Sequence, residues 1–547
     1  MRLVIVGGVA GGASAAARAR RLDESSEVIL FERGGEPSFA NCGMPYYIGG
    51  EIADRGKLLV TPVERLRQRY RLDVRIRTTI ESIDRTRRVV VARELDTGRT
   101  YEESYDKLIL SPGAAPLRPP LPGLDTPGIF TLRDLRDSDR IKQAVDAGAK
   151  SALIVGAGFI GLEMAENLVR RGVAVTVIEL ADQIVPPWDQ EMTKEAAAHV
   201  REQGVTLQLG DAVSAFAPQP GGGVVASTKL GATLSADLVV LSVGVRPENQ
   251  LAVAAGLDVG PRGGIRVNQH MQTSDPDIYA VGDAVEVQDF VLQTPTQVPL
   301  AGPANRQGRI AADHAFGRTS SYRGTQGTAI LRLFDMTLAM TGASEKSLVR
   351  AGQPYRKAYI HPSHHAGYYP GAQGMTLKIL FHPETGRVLG AQGAGRAGVD
   401  KRIDVLAVAV QAGLTVYQLE EMELAYSPQF GSAKDPVNML GFVAAGILRG
   451  DHPQITADRL STDADGAQII DVRTPTEFAA GHLPTAVNIP VDDLRTRLAE
   501  VPTDRPVVVY CQVGMRGYLA TRILLHAGRQ VQNLSGGYRS WVQNSSN

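Results

Sequence analysis

The chain has 547 residues, too many for one hydrophobic core, so three to four domains are expected. Hydrophobic residues make up 43% of the chain and charged residues 21%, which is typical of a globular protein in water. Its 58 basic side chains balance its 58 acidic ones. This zero net charge argues against a protein that binds nucleic acid or another polyanion over its whole surface.

The N-terminus is a short apolar run that soon becomes glycine-rich, without the longer apolar core and cleavage site of a signal peptide. The sequence has no run of about 18 apolar residues, so no membrane-spanning helix is expected. We therefore expect a cytoplasmic protein. Its two cysteines are Cys42 and Cys511, and a structural disulfide between them is not expected in that compartment. Both lie in glycine-bearing loops with polar neighbours, which favours reactive thiols over buried hydrophobic ones.

A repeated pattern predicts the fold class. Leu3–Val6 and Val28–Phe31 are short apolar runs, and Gly11–Leu22 between them is rich in alanine and arginine. The same order of strand, glycine turn, helix and strand returns about 150 residues later, with apolar runs at Ala152–Val155 and Val173–Ile178. An internal repeat of βαβ units predicts an α/β protein with two doubly wound parallel sheets.

The second repeat contains a G-x-G-x-x-G sequence that follows a strand and opens a helix. Glycines there let the backbone approach a pyrophosphate at the helix N-terminus. Glu179 ends the next strand, 18 positions after Gly161, and suits the ribose 2′-hydroxyl of NADH while repelling the 2′-phosphate of NADPH. A glycine turn that serves only packing is the alternative. The expected nucleotide-binding residues of this loop are Gly156, Gly158, Phe159, Ile160 and Gly161, and Gly244 is a further expected cofactor contact.

The first repeat matches this pattern less well, because Val9 stands where the middle glycine belongs. Two such sites in one chain suggest two dinucleotides. The chain resembles flavoproteins with two dinucleotide-binding domains, through Gly282-Asp283 after an apolar strand and Ser111-Pro112-Gly113 at the exit turn. That resemblance implies FAD at the first site, NADH at the second, and a return to the first domain after Gly244. The expected FAD residues are Gly7, Val9, Ala10, Gly11, Gly12, Glu32, Arg33, Ser111, Pro112, Gly113, Gly282 and Asp283.

Cys42 lies in the run Ser38-Phe39-Ala40-Asn41-Cys42-Gly43-Met44-Pro45-Tyr46 and has no second cysteine nearby. A disulfide reductase with one cysteine needs a small-molecule thiol as its other half, unless the cysteine acts as a sulfenate or is structural. This run and Val9–Gly12 resemble coenzyme A-disulfide reductases, over residues 1 to about 445. The resemblance implies that Cys42 binds coenzyme A as a mixed disulfide.

The same resemblance implies a homodimer in which two tyrosines of the partner subunit reach the disulfide. The matching positions are Tyr368, with Tyr369 adjacent, and Tyr426. A phenol can donate a hydrogen bond or a proton to a leaving thiolate, although interface packing is the alternative role. Coenzyme A carries phosphates, so basic residues are expected near Cys42. The expected substrate contacts are Arg18, Arg21, Ser38 and Asn41; a solvated face is the alternative for the arginines.

The last 95 or so residues contain Ile470-Asp471-Val472-Arg473, Gly481-His482-Leu483-Pro484 and the loop Cys511-Gln512-Val513-Gly514-Met515-Arg516. They resemble a rhodanese domain. Cys511 follows an apolar strand and begins a loop that runs into a helix, which stabilises a thiolate or persulfide. Arg516 adds positive charge at the rim. A phosphatase needs a longer loop, so that alternative is weaker.

The expected domains are an FAD domain (1–113 and 246–321), an NAD domain (114–245), an α+β dimerisation domain (322–448) and an α/β rhodanese domain (455–547). The sequence thus favours an NADH-dependent reductase of coenzyme A persulfide, polysulfide or coenzyme A disulfide, with small-molecule thiols as partners and no metal. A plain coenzyme A-disulfide reductase, a peroxide- or oxygen-reducing NADH oxidase, and a redox-sensing interaction protein are the alternatives.

Overall fold

The computed structural model describes residues 1–545, and its backbone divides into two compact units. The first contains Met1–Ile184 and Gly204–Thr325, and the second contains Val185–Gln203 and the residues from Gln326 onward. Residues 546 and 547 of the expected rhodanese domain lie outside the described residues. Among the helices described, none is both long and apolar enough to cross a membrane.

The first unit contains both predicted doubly wound sheets, each with five parallel strands. Leu3, Ile5 and Leu30 are completely buried in the first sheet, as expected for strands covered on both faces. In spatial order its strands are Ile278–Ala280, Lys107–Leu110, Arg2–Val6, Glu27–Phe31 and Asp73–Arg75. Those of the second sheet are Thr206–Leu209, Ala174–Glu179, Ser151–Val155, Leu238–Leu241 and Ile129–Thr131.

The strand Ile278–Ala280 pairs in parallel with Lys107–Leu110, so the chain returns to the first sheet as predicted. Two short antiparallel strands, Ala114–Pro116 and Val245–Pro247, lie where the chain leaves and re-enters this sheet. Three smaller sheets complete the unit. Their strands are Thr78–Asp84, Val89–Glu94 and Thr100–Ser104; Val213–Pro218, Val224–Thr228 and Thr233–Ala236; and Ile265–Arg266, Val285–Gln288 and Pro295–Thr296.

The helices of the first unit include Gly11–Leu22, which has the predicted bounds, and Phe159–Arg170, which begins two residues before the last glycine of its loop. The others are Met44–Ile48, Val63–Arg69, Leu135–Asp146, Gln250–Ala254 and Ala301–Ala315. Short 3-10 turns occur at Asn41–Gly43, Arg55–Leu58 and Gly282–Ala284.

The second unit contains an antiparallel sheet and a parallel sheet of five strands each. The antiparallel strands are, in spatial order, Ala329–Leu333, Met336–Gly342, Val388–Gly395, Met375–Phe381 and Arg356–Ile360. The parallel strands are Gln454–Ile455, Val531–Leu534, Val507–Tyr510, Gln468–Asp471 and Val487–Asn488. The helices are Gln190–Glu202, Glu345–Ala351, Val399–Ala412, Val416–Glu421, Pro436–Arg449, Leu460–Asp463, Pro475–Ala479, Met515–His526 and Gly537–Ser545, with 3-10 turns at Ala457–Arg459 and Leu498–Glu500.

A buried lysine ties the antiparallel sheet to the segment Val185–Gln203. Lys378 is fully buried, and its Nζ lies 2.8 Å from Asp189, 2.5 Å from Glu191 and 2.7 Å from Glu345. These carboxylates hold the pKa of Lys378 well above its usual range, even though burial acts in the opposite direction. A paired buried ammonium of this kind fixes which surfaces meet, because removing one partner would leave a buried charge.

Candidate active site

The two glycine loops have the same backbone arrangement. Gly7 and Gly156 adopt left-handed φ angles of 96° and 106°. A β-carbon on Gly12 would lie 1.8 Å from the Gly7 carbonyl oxygen, and one on Gly161 would lie 2.0 Å from that of Gly156. Glycine is therefore required at these places, because the first turn of each helix packs directly against the end of its strand.

An acidic residue at the end of the second strand braces each loop. Glu32 accepts hydrogen bonds from the backbone N–H groups of Gly8 and Gly34, at 2.7 and 2.6 Å. Glu179 does the same in the second repeat, where its donors are Ala157 and Ala181 at 2.7 and 2.9 Å. Each carboxylate is thus fixed beside its loop, where a nucleotide ribose would lie.

The loops differ at their middle position, where Val9 corresponds to Gly158. A β-carbon on Gly158 would meet no atom within 4 Å, so the second loop has open space at the N-terminus of Phe159–Arg170. Backbone N–H groups at that end fit a pyrophosphate. In the first loop, Ala10 precedes the helix with φ of 39°, and Gly11 packs against Val281.

Asp283 has an environment that fits a ligand hydroxyl. It lies in the 3-10 turn Gly282–Ala284, and the Gly282 N–H donates to Gln307 Oε1 at 2.8 Å. The Asp283 carboxylate accepts no hydrogen bond from any of residues 1–545, and burial alone raises its pKa to about 6. A half-buried carboxylate without a protein donor matches the expected contact with the ribityl or pyrophosphate part of FAD.

The predicted exit turn meets the predicted return segment. The Ser111 N–H donates to the Val6 carbonyl at 2.7 Å, and the Gly113 carbonyl accepts from the Glu248 N–H at 3.0 Å. Glu248 also forms an ion pair with Arg33 at 3.0 Å. The Gly244 carbonyl accepts a hydrogen bond from the Leu117 N–H at 2.9 Å. This bond extends the pairing of the short strands Ala114–Pro116 and Val245–Pro247.

Cys42 is the second residue of the 3-10 turn Asn41–Gly43 and is exposed to solvent. Ser38, four residues earlier, is buried with a left-handed φ of 55°, and its N–H donates to the Gly8 carbonyl at 2.8 Å. This bond attaches the cysteine segment to the first glycine loop. Asn41 is exposed beside the thiol.

The surroundings of Cys42 favour its neutral form. Crowding by protein atoms raises the pKa of the thiol, and the carboxylates of Glu163 and Asp283 raise it further. A neutral disulfide at this sulfur avoids the repulsion that a thiolate would meet.

Glu163 is a site residue that the sequence analysis did not single out. It lies two residues after Gly161 and accepts a hydrogen bond from Tyr46 Oη at 3.3 Å. Burial raises its pKa to about 7, the Tyr46 hydrogen bond lowers it, and Glu166 raises it. The available signal was an acidic residue between the buried Leu162 and Met164 near the start of the helix.

The arginines of the first helix have three different environments. Arg18 pairs with Asp313 at 2.6 Å, so its charge is already engaged. Arg20 is buried and donates to five backbone carbonyls, so it does not belong to a solvated face of the helix. Arg21 is exposed and free for a phosphate.

The two predicted tyrosines meet within the second unit. The hydroxyls of Tyr368 and Tyr426 are 3.0 Å apart, and both side chains are exposed, by 76% and 49% of the residue. The hydrogen bond to Tyr426 raises the pKa of Tyr368. Tyr369 instead packs edge-on against His365, which distinguishes it from its neighbour.

Cys511 lies at the end of the strand Val507–Tyr510 and is 1% exposed. The Cys511 loop (residues 511–516) leads into the helix Met515–His526, as predicted. The backbone N–H of Gly514, which has φ of 103°, donates to Cys511 Sγ at 3.1 Å. A backbone donor aimed at sulfur stabilises negative charge there.

Hydrogen bonds from other parts of the domain fix the Cys511 loop. The N–H groups of Tyr538 and Arg539 donate to the carbonyls of Cys511 and Gln512, at 2.7 and 3.1 Å. Arg473 donates to Gln512 Oε1 at 3.0 Å. At the rim, Arg516 forks onto the Glu477 carboxylate with contacts of 2.6 and 2.7 Å. Sequence reasoning missed Glu477, and its hydrogen bonds to Arg516 lower its pKa to about 2.

Comparison with known proteins gives three family matches. The family "Pyridine nucleotide-disulphide oxidoreductase" matches residues 1–308, its dimerisation domain matches residues 328–436, and the rhodanese-like domain matches residues 456–544. The coenzyme A disulfide reductase of Staphylococcus haemolyticus is 35% identical over 445 residues, which is 81% of this chain and 99% of that protein.

Two solved structures are similar over nearly the whole chain. Reduced Bacillus anthracis CoADR-RHD has a TM-score of 0.97 and 47% identity, covering 99% of this chain and 98% of that one. A NAD-dependent persulfide reductase from A. fulgidus has a TM-score of 0.92 and 36% identity, covering 99% of this chain and 100% of that one. The chain therefore belongs to the pyridine nucleotide-disulphide oxidoreductase family, and it carries a dimerisation domain and a C-terminal rhodanese-like domain.

Proposed function

We propose that this chain is an FAD-dependent, NADH-oxidising reductase of coenzyme A persulfide, polysulfide or coenzyme A disulfide. Cys42 is its redox thiol, and the rhodanese-like domain handles sulfane sulfur at Cys511. The observation that carries the proposal is that each of the two cysteines has its own built site. Cys42 is exposed beside the first glycine loop without a second cysteine, and Cys511 lies in a loop whose backbone donates to its sulfur.

The substrates come from the relatives, whose names state a coenzyme A disulfide reductase and a NAD-dependent persulfide reductase. The lack of a neighbouring cysteine supports the same choice, because a lone thiol needs a substrate thiol as its disulfide partner. When bound, FAD accepts a hydride from NADH and supplies the electron pair that opens a disulfide at Cys42 Sγ.

The chain's own residues hold the reactants in this scheme. Cys42 forms a mixed disulfide with the coenzyme A sulfur, and the raised pKa of its thiol favours that neutral resting form over the thiolate. Asp283 binds FAD hydroxyls, and the expected residues of the first loop hold its pyrophosphate. Arg21, Ser38 and Asn41 bind the coenzyme A moiety. Arg18 is a further contact, although its charge is paired with Asp313.

The enzyme acts as a homodimer in this proposal, through the dimerisation domain. Tyr368 and Tyr426 of one protomer donate hydrogen bonds to the thiolate that leaves from the partner's disulfide. Their exposure and their contact of 3.0 Å support this role, because a pair of linked phenols can pass a proton to the leaving sulfur.

Glu179 supports NADH as the electron donor. Its carboxylate is fixed at the second loop by two backbone donors, so a 2′-phosphate would meet a charge that cannot swing away. NADPH should therefore be a poor donor.

Steady-state NADH oxidation with coenzyme A disulfide, coenzyme A persulfide and polysulfide, measured side by side, tests the proposal. We expect turnover with at least one of them, and slower turnover when NADPH replaces NADH. Turnover with none of the three would contradict it. Turnover with coenzyme A disulfide alone would favour a plain disulfide reductase, and turnover with peroxide or oxygen alone an oxidase.

A relay of sulfur from Cys511 toward Cys42 is a further part of the proposal, since tethering two sites raises the local concentration of donor. The variant Cys511→Ser tests it. If this variant keeps wild-type NADH turnover with every persulfide and polysulfide, the relay is wrong.

A further inference from the structure

The positive charges around the Cys511 loop are paired with carboxylates. Two guanidinium groups adjoin the loop, and each is already engaged by a carboxylate. The pairs are Arg473 with Asp471 at 2.7 Å and Arg516 with Glu477 at 2.6 Å.

The rim of the loop also contains two exposed apolar side chains. Val513 and Met515 are exposed by 36% and 52%, on either side of Gly514. At the sulfur itself, the Gly514 N–H donates at 3.1 Å, and the Arg516 side chain, which is paired with Glu477, also interacts with Cys511. A neutral dipole stabilises a single negative charge well, but a dianion gains more from a free cation.

We infer that Glu477 is a specificity-determining residue, which neutralises Arg516 so that Cys511 accepts sulfur from organic persulfides and rejects the thiosulfate dianion. This inference rests on the proposed sulfur-handling role of Cys511 and names its donor class. Glu477 acts through Arg516 and does not itself touch the sulfur, so it is a positioning residue.

The two sulfur donors differ in the charge of their leaving groups. In both reactions the Cys511 thiolate attacks the outer sulfur of the donor, so a new S–S bond forms at Cys511 and the donor's S–S bond breaks. The electron pair of the broken bond leaves on sulfite, with two negative charges, when thiosulfate is the donor. It leaves on a thiolate with one charge when an organic persulfide is the donor.

An unpaired arginine at the rim would stabilise the departing sulfite more than the departing thiolate. The Arg516–Glu477 pair removes that advantage. The exposed Val513 and Met515 can instead contact the aliphatic arm of an organic donor, such as the pantetheine arm of a coenzyme A-type persulfide.

The test is sulfur transfer to cyanide by the full-length flavoprotein, with thiocyanate as the product that restores the Cys511 thiolate. The Cys42→Ser background leaves Cys511 as the single cysteine, and thiosulfate and pantetheine persulfide are the two donors. We expect kcat/KM for pantetheine persulfide to exceed that for thiosulfate by about 100-fold in the unsubstituted loop.

Glu477→Gln is the informative variant, because glutamine can preserve the local fold. Glu477 closes a capping box with Thr474 at the start of the helix Pro475–Ala479. The same chain builds an identical box with glutamine, between Thr415 and Gln418. The substitution therefore removes the charge and retains the cap.

We expect Glu477→Gln to raise kcat/KM for thiosulfate by about tenfold. The kcat/KM for pantetheine persulfide should stay within about twofold of its value before the substitution. The gain should shrink as ionic strength rises, which a change of folding alone would not produce. Met515→Lys, which adds a cation at the rim, should raise thiosulfate use in the same direction.

Glu500→Gln is the matched control, because Glu500 forks onto Arg497 at 2.7 Å in the same domain but away from the loop. This variant should leave kcat/KM for both donors unchanged. Equal use of both donors by the unsubstituted loop, or a Glu477→Gln effect that is absent or equal for both, would overturn the inference. If neither donor were used, the proposed role of Cys511 would fail instead.

Discussion

The two cysteines of this chain occupy opposite environments. Cys42 is exposed, and the nearby carboxylates of Glu163 and Asp283 raise its pKa. Cys511 is buried, receives a hydrogen bond from the Gly514 N–H, and lies next to the paired guanidinium of Arg516. The first environment disfavours an anion at sulfur and suits a neutral mixed disulfide, whereas the second provides for a persulfide anion.

The largest expected effect separates the two sulfurs. Cys42→Ser should lower NADH-dependent reduction of coenzyme A disulfide by at least about 10³-fold, because the sulfur that joins the mixed disulfide is gone. Sulfur transfer from an organic persulfide to cyanide should remain in the same variant. Cys511→Ser should lose sulfur transfer to cyanide and keep NADH-dependent reduction of coenzyme A disulfide. Loss of both activities in either variant would contradict separate roles for the two cysteines.

The next effect concerns the phenols assigned to the Cys42 reaction. Tyr426→Phe removes the hydroxyl that lies 3.0 Å from that of Tyr368. The kcat for coenzyme A disulfide should fall by about 10- to 100-fold, because the leaving thiolate loses its donor. Tyr369→Phe is the control and should change kcat little. An equal fall in both variants would point to packing at the interface instead.

Asp283 gives an intermediate effect that depends on pH. Because burial raises its pKa to about 6, the folded protein without cofactor loses stability as the pH rises from the usual aspartate range, near 3.8, through about 6. Asp283→Asn removes this cost and should stabilise the apoprotein by about 1–2 kcal/mol at pH 7, with little gain at pH 4. Denaturant unfolding at the two pH values measures the difference.

The same variant should bind FAD more weakly, since the carboxylate is the expected acceptor for its hydroxyls. A destabilised apoprotein at pH 7, or unchanged FAD affinity, would show that Asp283 serves the fold rather than the cofactor.

The smallest effect tests the electrostatic coupling between Glu163 and Cys42. Glu163→Gln removes one of the charges that raise the pKa of the thiol, so alkylation of Cys42 by iodoacetamide should be about threefold faster near pH 8. The pKa of Glu163 is about 7, so the difference should disappear below about pH 6, where the wild-type carboxyl is already neutral.

Glu81→Gln provides the comparison for this experiment, because Glu81 is an exposed partner of Arg93. Its alkylation rate at Cys42 should equal that of the wild type. If Cys42 in the Glu163→Gln variant is alkylated at the wild-type rate at pH 8, Glu163 does not raise the pKa of the thiol.

Local patterns predicted much of the fold. The helix Gly11–Leu22 has the predicted bounds, and the strands on both sides differ from prediction by one residue at one end. The reason is that an apolar run, a glycine turn and an amphipathic helix specify a βαβ unit within about 30 residues. The loop of Cys511 was predicted for the same reason, since its strand and helix are adjacent in sequence.

The charge pairs around the two sulfurs were not predictable in this way. Tyr46 and Glu163 are 117 residues apart, and Glu477 and Arg516 are 39 apart. Their contacts are set by packing of separate elements, and a single sequence contains no periodicity that reports them. Arg20 illustrates the same limit, because its burial depends on carbonyls of a loop near Tyr70.

The most direct test of the central claim is peptide mass spectrometry of the protein after separate incubation with coenzyme A disulfide and with an organic persulfide. We predict a coenzyme A adduct on the peptide that contains Cys42 and one added sulfur on the peptide that contains Cys511. A sulfenate in place of coenzyme A on Cys42, or the two modifications on the opposite cysteines, would contradict the account.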